Sequence, residues 1–78
     1  MKDDQIREKV KKLLKDELHL DAISDDAKSK DHSEWDSMTY MSVVARLQDE
    51  FGIEATPDNI ESFGSVPEIV REIAKQKG

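Results

Sequence analysis

The stretch from residue 35 to residue 53 reads WDSMTYMSVVARLQDEFGI, and its two ends and its middle each specify a helix. Asp36 and Ser37 are residue types that cap helix N-termini, because a short side-chain oxygen accepts from a backbone N–H that the first turn leaves unpaired. Met38, Met41, Val44, Leu47 and Phe51 then recur three or four residues apart and line one face, widened by Val43. Gly52 ends the helix, since glycine takes the left-handed conformation that commonly follows a last turn.

Upstream, Ile6, Val10, Leu13, Leu14 and Leu18 mark an amphipathic first helix from about Asp3 to Leu18, with Asp3 and Asp4 at its positive end. From His19 to Asp36 the periodicity is lost and a long polar loop is expected, pinned to the core by Leu20, Ile23 and Trp35. Loops of that length are uncommon in compact domains and are often functional. Downstream, Thr56-Pro57-Asp58-Asn59 predicts a cap with proline at the first helical position, opening a short helix through Ile60 and Phe63 that Gly64 stops. Ser65-Val66-Pro67-Glu68 has the form of a capping box, and Ile69, Val70 and Ile73 give the last helix its apolar face. No segment alternates with period two and no internal repeat is present. The expected architecture is all-α, a bundle of three main helices plus one short helix, in one domain over residues 1–78.

Composition bounds what such a bundle does. The chain has 78 residues, 36% of them hydrophobic, and no cysteine. That is enough for one modest core but not for an enclosed active site. Disulfides, thiolate–metal sites and a cysteine nucleophile are excluded. The opening residues are charged and no apolar run approaches a bilayer span, so a cytoplasmic protein is expected. Residues 1–20 hold six Lys/Arg against five Asp/Glu, residues 21–61 three against eleven, and residues 62–78 three against two. The formal charge of −6 is therefore concentrated in the middle. Such a field repels nucleic acid and anionic lipid and steers basic partners toward that segment.

The chemistry-bearing residue is Ser37. With Asp36 as the cap, Ser37 falls in the first turn at the end of a long loop, exposed and lightly hindered. A phosphodiester placed there sits in the favourable field of a helix N-terminus. On its own an Asp-Ser pair before an apolar stripe is a cap and nothing more. The wider pattern adds to it: Asp36-Ser37-Met38, then Phe51-Gly52-Ile53 fourteen residues after Ser37, then Ser65-Val66-Pro67-Glu68-Ile69-Val70. This arrangement resembles the acyl carrier protein family, in which an Asp-Ser-Leu attachment motif leads a helix ending in Phe-Gly-Ile or a close variant. The resemblance covers essentially the whole chain, the first helix contributing only its pattern.

The resemblance implies an acyl-carrier-like bundle and a set of roles. Ser37 is the acceptor onto which a phosphopantetheinyl transferase attaches 4'-phosphopantetheine from coenzyme A, and the arm's terminal thiol holds an acyl group as a thioester. Asp36 faces basic residues of partners, and Met38, in place of the family leucine, is an apolar grip. Met41 and Trp35 join them as partner-binding residues. The carrier is not an enzyme, in keeping with the lack of a nucleophile–base pair. It is a monomer serving acyl-loading and acyl-transfer enzymes with basic docking surfaces.

Departures from the family pattern point to a specialised, stand-alone member. Trp35 stands where fatty-acid carriers usually have a small residue. Thr39, Ser42 and Gln48 replace acids, and Arg46 adds a positive charge to the same helix. A Trp-Asp-Ser opening is similar to that of carriers in amino-acid-activating, polyketide-like or surface-polysaccharide pathways. The rival class is an unmodified helical interaction module. The remaining signals are weak. The acidic run Asp25–Asp36 fails as a calcium loop, with Ala27 at its third position and Lys30 where glycine is required. His19 and His32, thirteen residues apart, do not make a zinc pair. Tyr40 and Ser42 are expected to face solvent or a partner.

Overall fold

A computed structural model describes residues 2–77. Helix α1 spans Asp3–Leu18, α2 Ser37–Phe51 and α3 Val66–Lys77. Single 3-10 turns occupy Ser29–Asp31 and Ile60–Phe63, and there is no strand among the described residues beyond one isolated bridge between Lys28 and Ser65. None of the described helices is long and apolar enough to cross a membrane.

Helix α1 buries Ile6, Val10, Leu13, Leu14 and Leu18, the five residues whose spacing predicted it, and packs against both α2 and α3. It ends at His19, a left-handed residue with φ 57° whose N–H donates to the Lys15 carbonyl. Leu20 N–H reaches the same carbonyl at 2.9 Å, so the last turn closes on two bonds.

The register of α2 differs from the predicted one. Its buried residues are Val43, Val44, Leu47 and Phe51, while Met38 and Met41 are 83% and 55% exposed. Tyr40 occupies the inward position at the N-terminal end and packs on the core. The core-facing stripe is thus 40, 43, 44, 47, 51, with Tyr40 half-buried, and the methionines lie on the neighbouring face with Ser42 and Ala45, which are exposed. Tyr40 is a strut between elements, not a solvent-facing residue. Its hydroxyl donates to the Ile60 carbonyl and accepts from Phe63 N–H at 3.2 Å. Gly52 ends α2 with φ +65°, its N–H bonded to the Gln48 carbonyl at 2.8 Å.

The predicted short helix begins later than the proline. Residues 57–59 form a turn and only Ile60–Phe63 winds into a 3-10 turn. Thr56 still opens the segment: its carbonyl accepts from Asn59 N–H at 3.1 Å and Ile60 N–H at 2.9 Å, while Asn59 Oδ1 accepts from Thr56 N–H at 2.6 Å and Asn59 Nδ2 donates to the Glu54 carbonyl and to Glu72. Gln76 doubles this tie, exchanging two 2.9 Å bonds with the backbone of Glu54.

The long loop is docked. Ala27 and Ile23 are buried, Ser29 N–H donates to the Gly64 carbonyl at 2.8 Å, and Val66 N–H donates to the Ala27 carbonyl at 2.9 Å. Lys11 reaches Asp25 at 2.7 Å from α1. At the start of α3, Ser65 Oγ accepts from Glu68 N–H at 3.3 Å and donates to Glu68 Oε1 at 2.9 Å. The hydroxyl half of the capping box is realised, and the glutamate answers the hydroxyl instead of the backbone.

Candidate functional site

The N-terminus of α2 is organised by Asp36. Its backbone is extended, and its carboxylate accepts from Thr39 N–H at 2.9 Å. That bond, together with one from the Thr39 hydroxyl, holds the Asp36 carboxyl below the usual carboxylate range. A folded-state value below the unfolded one means that Asp36 contributes stability above about pH 4, a contribution lost as pH falls through the depressed value. Asp36→Asn keeps a capping oxygen but cannot titrate. The variant is expected to unfold at a nearly unchanged urea concentration at pH 7 and to show a flatter decline than wild type below about pH 4. Parallel curves in that range would refute the assignment.

Ser37 is the first residue of α2 and is exposed. It is the one described serine that is exposed, begins an α-helix and follows its capping acid. Ser65 is buried at the cap of α3, and Ser24, Ser33 and Ser42 are exposed away from any helix start. Ser37 itself lines an open hollow of about 500 Å³, with Trp35, Asp36, Tyr40 and Met41 and, from the loop, Ser29 and Lys30. Its volume falls within the range of small-molecule sites.

Of the residues predicted to meet partners, Asp36, Met38 and Met41 are all exposed at the start of α2. Trp35 is corrected. It is only 3% exposed and belongs to the core, so it anchors the loop and walls the hollow instead of offering a surface contact. Its indole Nε1–H is closed off from solvent and has no hydrogen-bond partner. An orphaned buried donor of this kind costs about 1–3 kcal/mol and is rare. Ser29 and Lys30 were not singled out by the sequence, because the bonds that place the loop, Ser29 N–H to the Gly64 carbonyl and Val66 N–H to the Ala27 carbonyl, leave no local signature.

The acid near the site lies before Ser37, not after it. Asp31, Glu34 and Asp36 are exposed, whereas the first three turns of α2 present Met38, Met41, Ser42 and Ala45 and no carboxylate. Arg46 does not offer its charge to a partner in the way the sequence suggested. It bridges to α1, 2.7 Å from Asp16 and 3.1 Å from Glu17. Arg46→Glu loses two partly exposed pairs and sets three acids together, so a loss of about 1–2 kcal/mol is expected from pairs worth a few tenths to one each. A urea midpoint within error of wild type would deny Arg46 that role.

A phosphopantetheine group fits this site. The Ser37 hydroxyl is accessible, and unpaired backbone N–H groups of the first turn favour a phosphodiester. Comparison with known proteins agrees. The family model described as "Phosphopantetheine attachment site" matches residues 8–73. The chain is also 31% identical over 75 residues to an acyl carrier protein of Solidesulfovibrio magneticus, covering 94% of this chain and 96% of that protein. With fold, attachment-site model and relative in agreement over nearly the full length, the chain belongs to the acyl carrier protein family.

Proposed function

We propose that this chain carries acyl groups as thioesters on a 4'-phosphopantetheine arm attached to Ser37, as a monomeric cytoplasmic substrate of partner enzymes that catalyses no step itself. The observation that supports the reading is the position of Ser37, exposed at the first residue of α2 directly after a capping carboxylate. When bound, the arm supplies the thiol that forms the thioester. The chain's own residues present the hydroxyl, fix the helix start and flank it with grips. Asp36 keeps the approach acidic for a basic partner, and Met38 and Met41 offer exposed, adaptable apolar contact. Incubation with a phosphopantetheinyl transferase and coenzyme A is expected to raise the intact mass by one arm. An unchanged mass would leave an unmodified interaction module as the function.

The acyl-handling partners on this reading belong to a specialised pathway. Support comes from the face of α2 beyond Ser37, where methionine, serine and alanine stand in place of a row of acids. Enzymes that dock on such a row lose steering and register here. In a malonyl-transfer assay the loaded protein is expected to be slower than a standard fatty-acid carrier; equal rates would return it to ordinary fatty acid synthesis.

A further inference from the structure

Among the described residues, the large apolar side chains left exposed are Met38 and Met41, at 83% and 55%, and both lie within four residues of Ser37. They carry the only sulfur atoms among those residues, since the sequence has no cysteine and its third methionine is Met1. Met38 follows the serine directly. Met41 stands four residues beyond Ser37, one turn further along α2 and on the same face. A helical side chain leans back toward the helix N-terminus, so the Met41 thioether covers the turn that begins with Ser37. Met41 also lines the hollow that Ser37 opens onto.

Thioethers so exposed are open to hydrogen peroxide. The sulfur lone pair attacks one peroxide oxygen, the O–O bond breaks, and the departing hydroxide collects the proton left on the transferred oxygen. Sulfur loses two electrons and becomes a sulfoxide, and the peroxide is reduced to water. A dithiol-dependent reductase reverses the change, the oxygen leaving as water while the dithiol closes to a disulfide. We propose that Met38 and Met41 are reversible oxidation sites, and that their conversion to sulfoxides by peroxide closes the Ser37 end of α2 to partner enzymes without disturbing the fold. The inference rests on the reading of these methionines as apolar contacts for enzymes acting at Ser37, and goes beyond it by making those contacts sensitive to oxidant. The sulfoxide keeps the length of the side chain but puts a strongly polar S=O group where an apolar atom stood. In a dry contact that group loses its water without gaining a hydrogen bond, which is unfavourable. The core is spared, because α2 is held inward by Val43, Val44, Leu47 and Phe51 and neither methionine belongs to that cluster. With no cysteine in the chain, no thiol of its own competes for the oxidant.

The test uses the full-length chain before it carries an arm, when it holds no thiol. Hydrogen peroxide is applied and then removed before a phosphopantetheinyl transferase and coenzyme A are added, so that the carrier alone is oxidised. Peptide mapping is expected to place sulfoxide on both methionines, forming faster on the more exposed Met38. The rate of arm attachment at low carrier concentration is expected to fall about tenfold, the scale of a lost central contact in an interface. Circular dichroism should be unchanged, and treatment with methionine sulfoxide reductases for both epimers should restore the rate. In Met38→Leu/Met41→Leu, whatever its own starting rate, peroxide is expected to leave that rate unaltered. Met1 is present in both proteins, so an equal loss in the variant would place the effect elsewhere and overturn the inference. If the oxidised wild type loads at its original rate, or loses its helical signal, the switch is wrong while attachment to the unoxidised protein stands. If the unoxidised protein takes no arm, the attachment itself fails and the switch with it.

Discussion

Ser37→Ala is expected to abolish attachment of the arm completely, with no compensating modification elsewhere, while leaving the fold intact. The hydroxyl is the only part of Ser37 removed, and neither cap bond of α2 uses it. Asp36 still accepts from Thr39 N–H, and Tyr40 N–H still donates to the Asp36 carbonyl. Alanine at the first helical residue is also the best intrinsic helix former, so the circular dichroism of the variant should match wild type. No other described serine can substitute. Ser42 is exposed but lies a full turn into α2, Ser33 is in the loop, and Ser65 is buried with its hydroxyl committed to Glu68. Intact mass and peptide mapping after transferase treatment decide the matter. A mass increase on the alanine variant, or label on any other serine of wild type, would move the attachment site.

The capped start of α2 that presents Ser37 was legible in the sequence because the chemistry that makes it is local. A capping carboxylate and the hydroxyl after it need only each other and the next turn, so Asp36-Ser37 could be placed from three or four residues. The ends of α1 and α2 were legible for the same reason, with Leu18 and Gly52 marking where apolar spacing stops. Register at the start of α2 was not. Met38 and Met41 satisfy a three-residue spacing as well as Tyr40 and Val43 do, and the tyrosine hydroxyl argues against burial until a partner for it is known. The partners are the Ile60 carbonyl and the Phe63 N–H, more than twenty positions away in part, and once they are present the phenol ring buries and the methionines rotate outward. Burial pushes the Tyr40 phenol above its ordinary range.

Non-local pairing also explains the remaining misses. The hollow beside Ser37 exists because Ser29 and Lys30 are carried to α2 by backbone bonds between the loop and residues 64–66. No sequence signal marks how residues 54–56 are held, yet Gln48, Asn59 and Gln76 side chains supply backbone partners there. Nothing in the sequence marks Glu72 as buried, and it is tolerated there because Asn59 and Gln76 both donate to its carboxylate, at 3.1 and 2.9 Å. Arg46 reads as a docking charge only while Asp16 and Glu17 are out of view. Tyr40 and Arg46 were read as facing outward for want of partners that the fold provides.

Phe63→Ala is expected to cost the fold more than any other single change at the 60–64 turn. Phe63 is fully buried at the end of the Ile60–Phe63 turn, which packs on α3, and its own N–H is held by Tyr40 of α2. Truncating a buried phenylalanine to alanine costs about 3–5 kcal/mol, the lost transfer energy plus the cavity left behind. A domain of 78 residues has about 4–12 kcal/mol in total at the usual stability per residue, so the loss is at least about a quarter of it. Tyr40→Phe isolates the polar part of the same junction. The ring remains, but the Ile60 carbonyl and the Phe63 N–H lose their shared partner, at a cost of about 1–3 kcal/mol. Urea unfolding should therefore rank wild type above Tyr40→Phe, and Tyr40→Phe above Phe63→Ala. The order matters for function because the 60–64 turn is tied on one side to Tyr40 and on the other to Ser29, both lining the hollow at Ser37. Tyr40→Phe is then expected to fold and to accept the arm at 25 °C, with the Trp35 emission red-shifted as the wall loosens. An emission identical to wild type would mean that the turn is packed by Phe63 alone and that the tyrosine hydroxyl does not set the shape of the hollow.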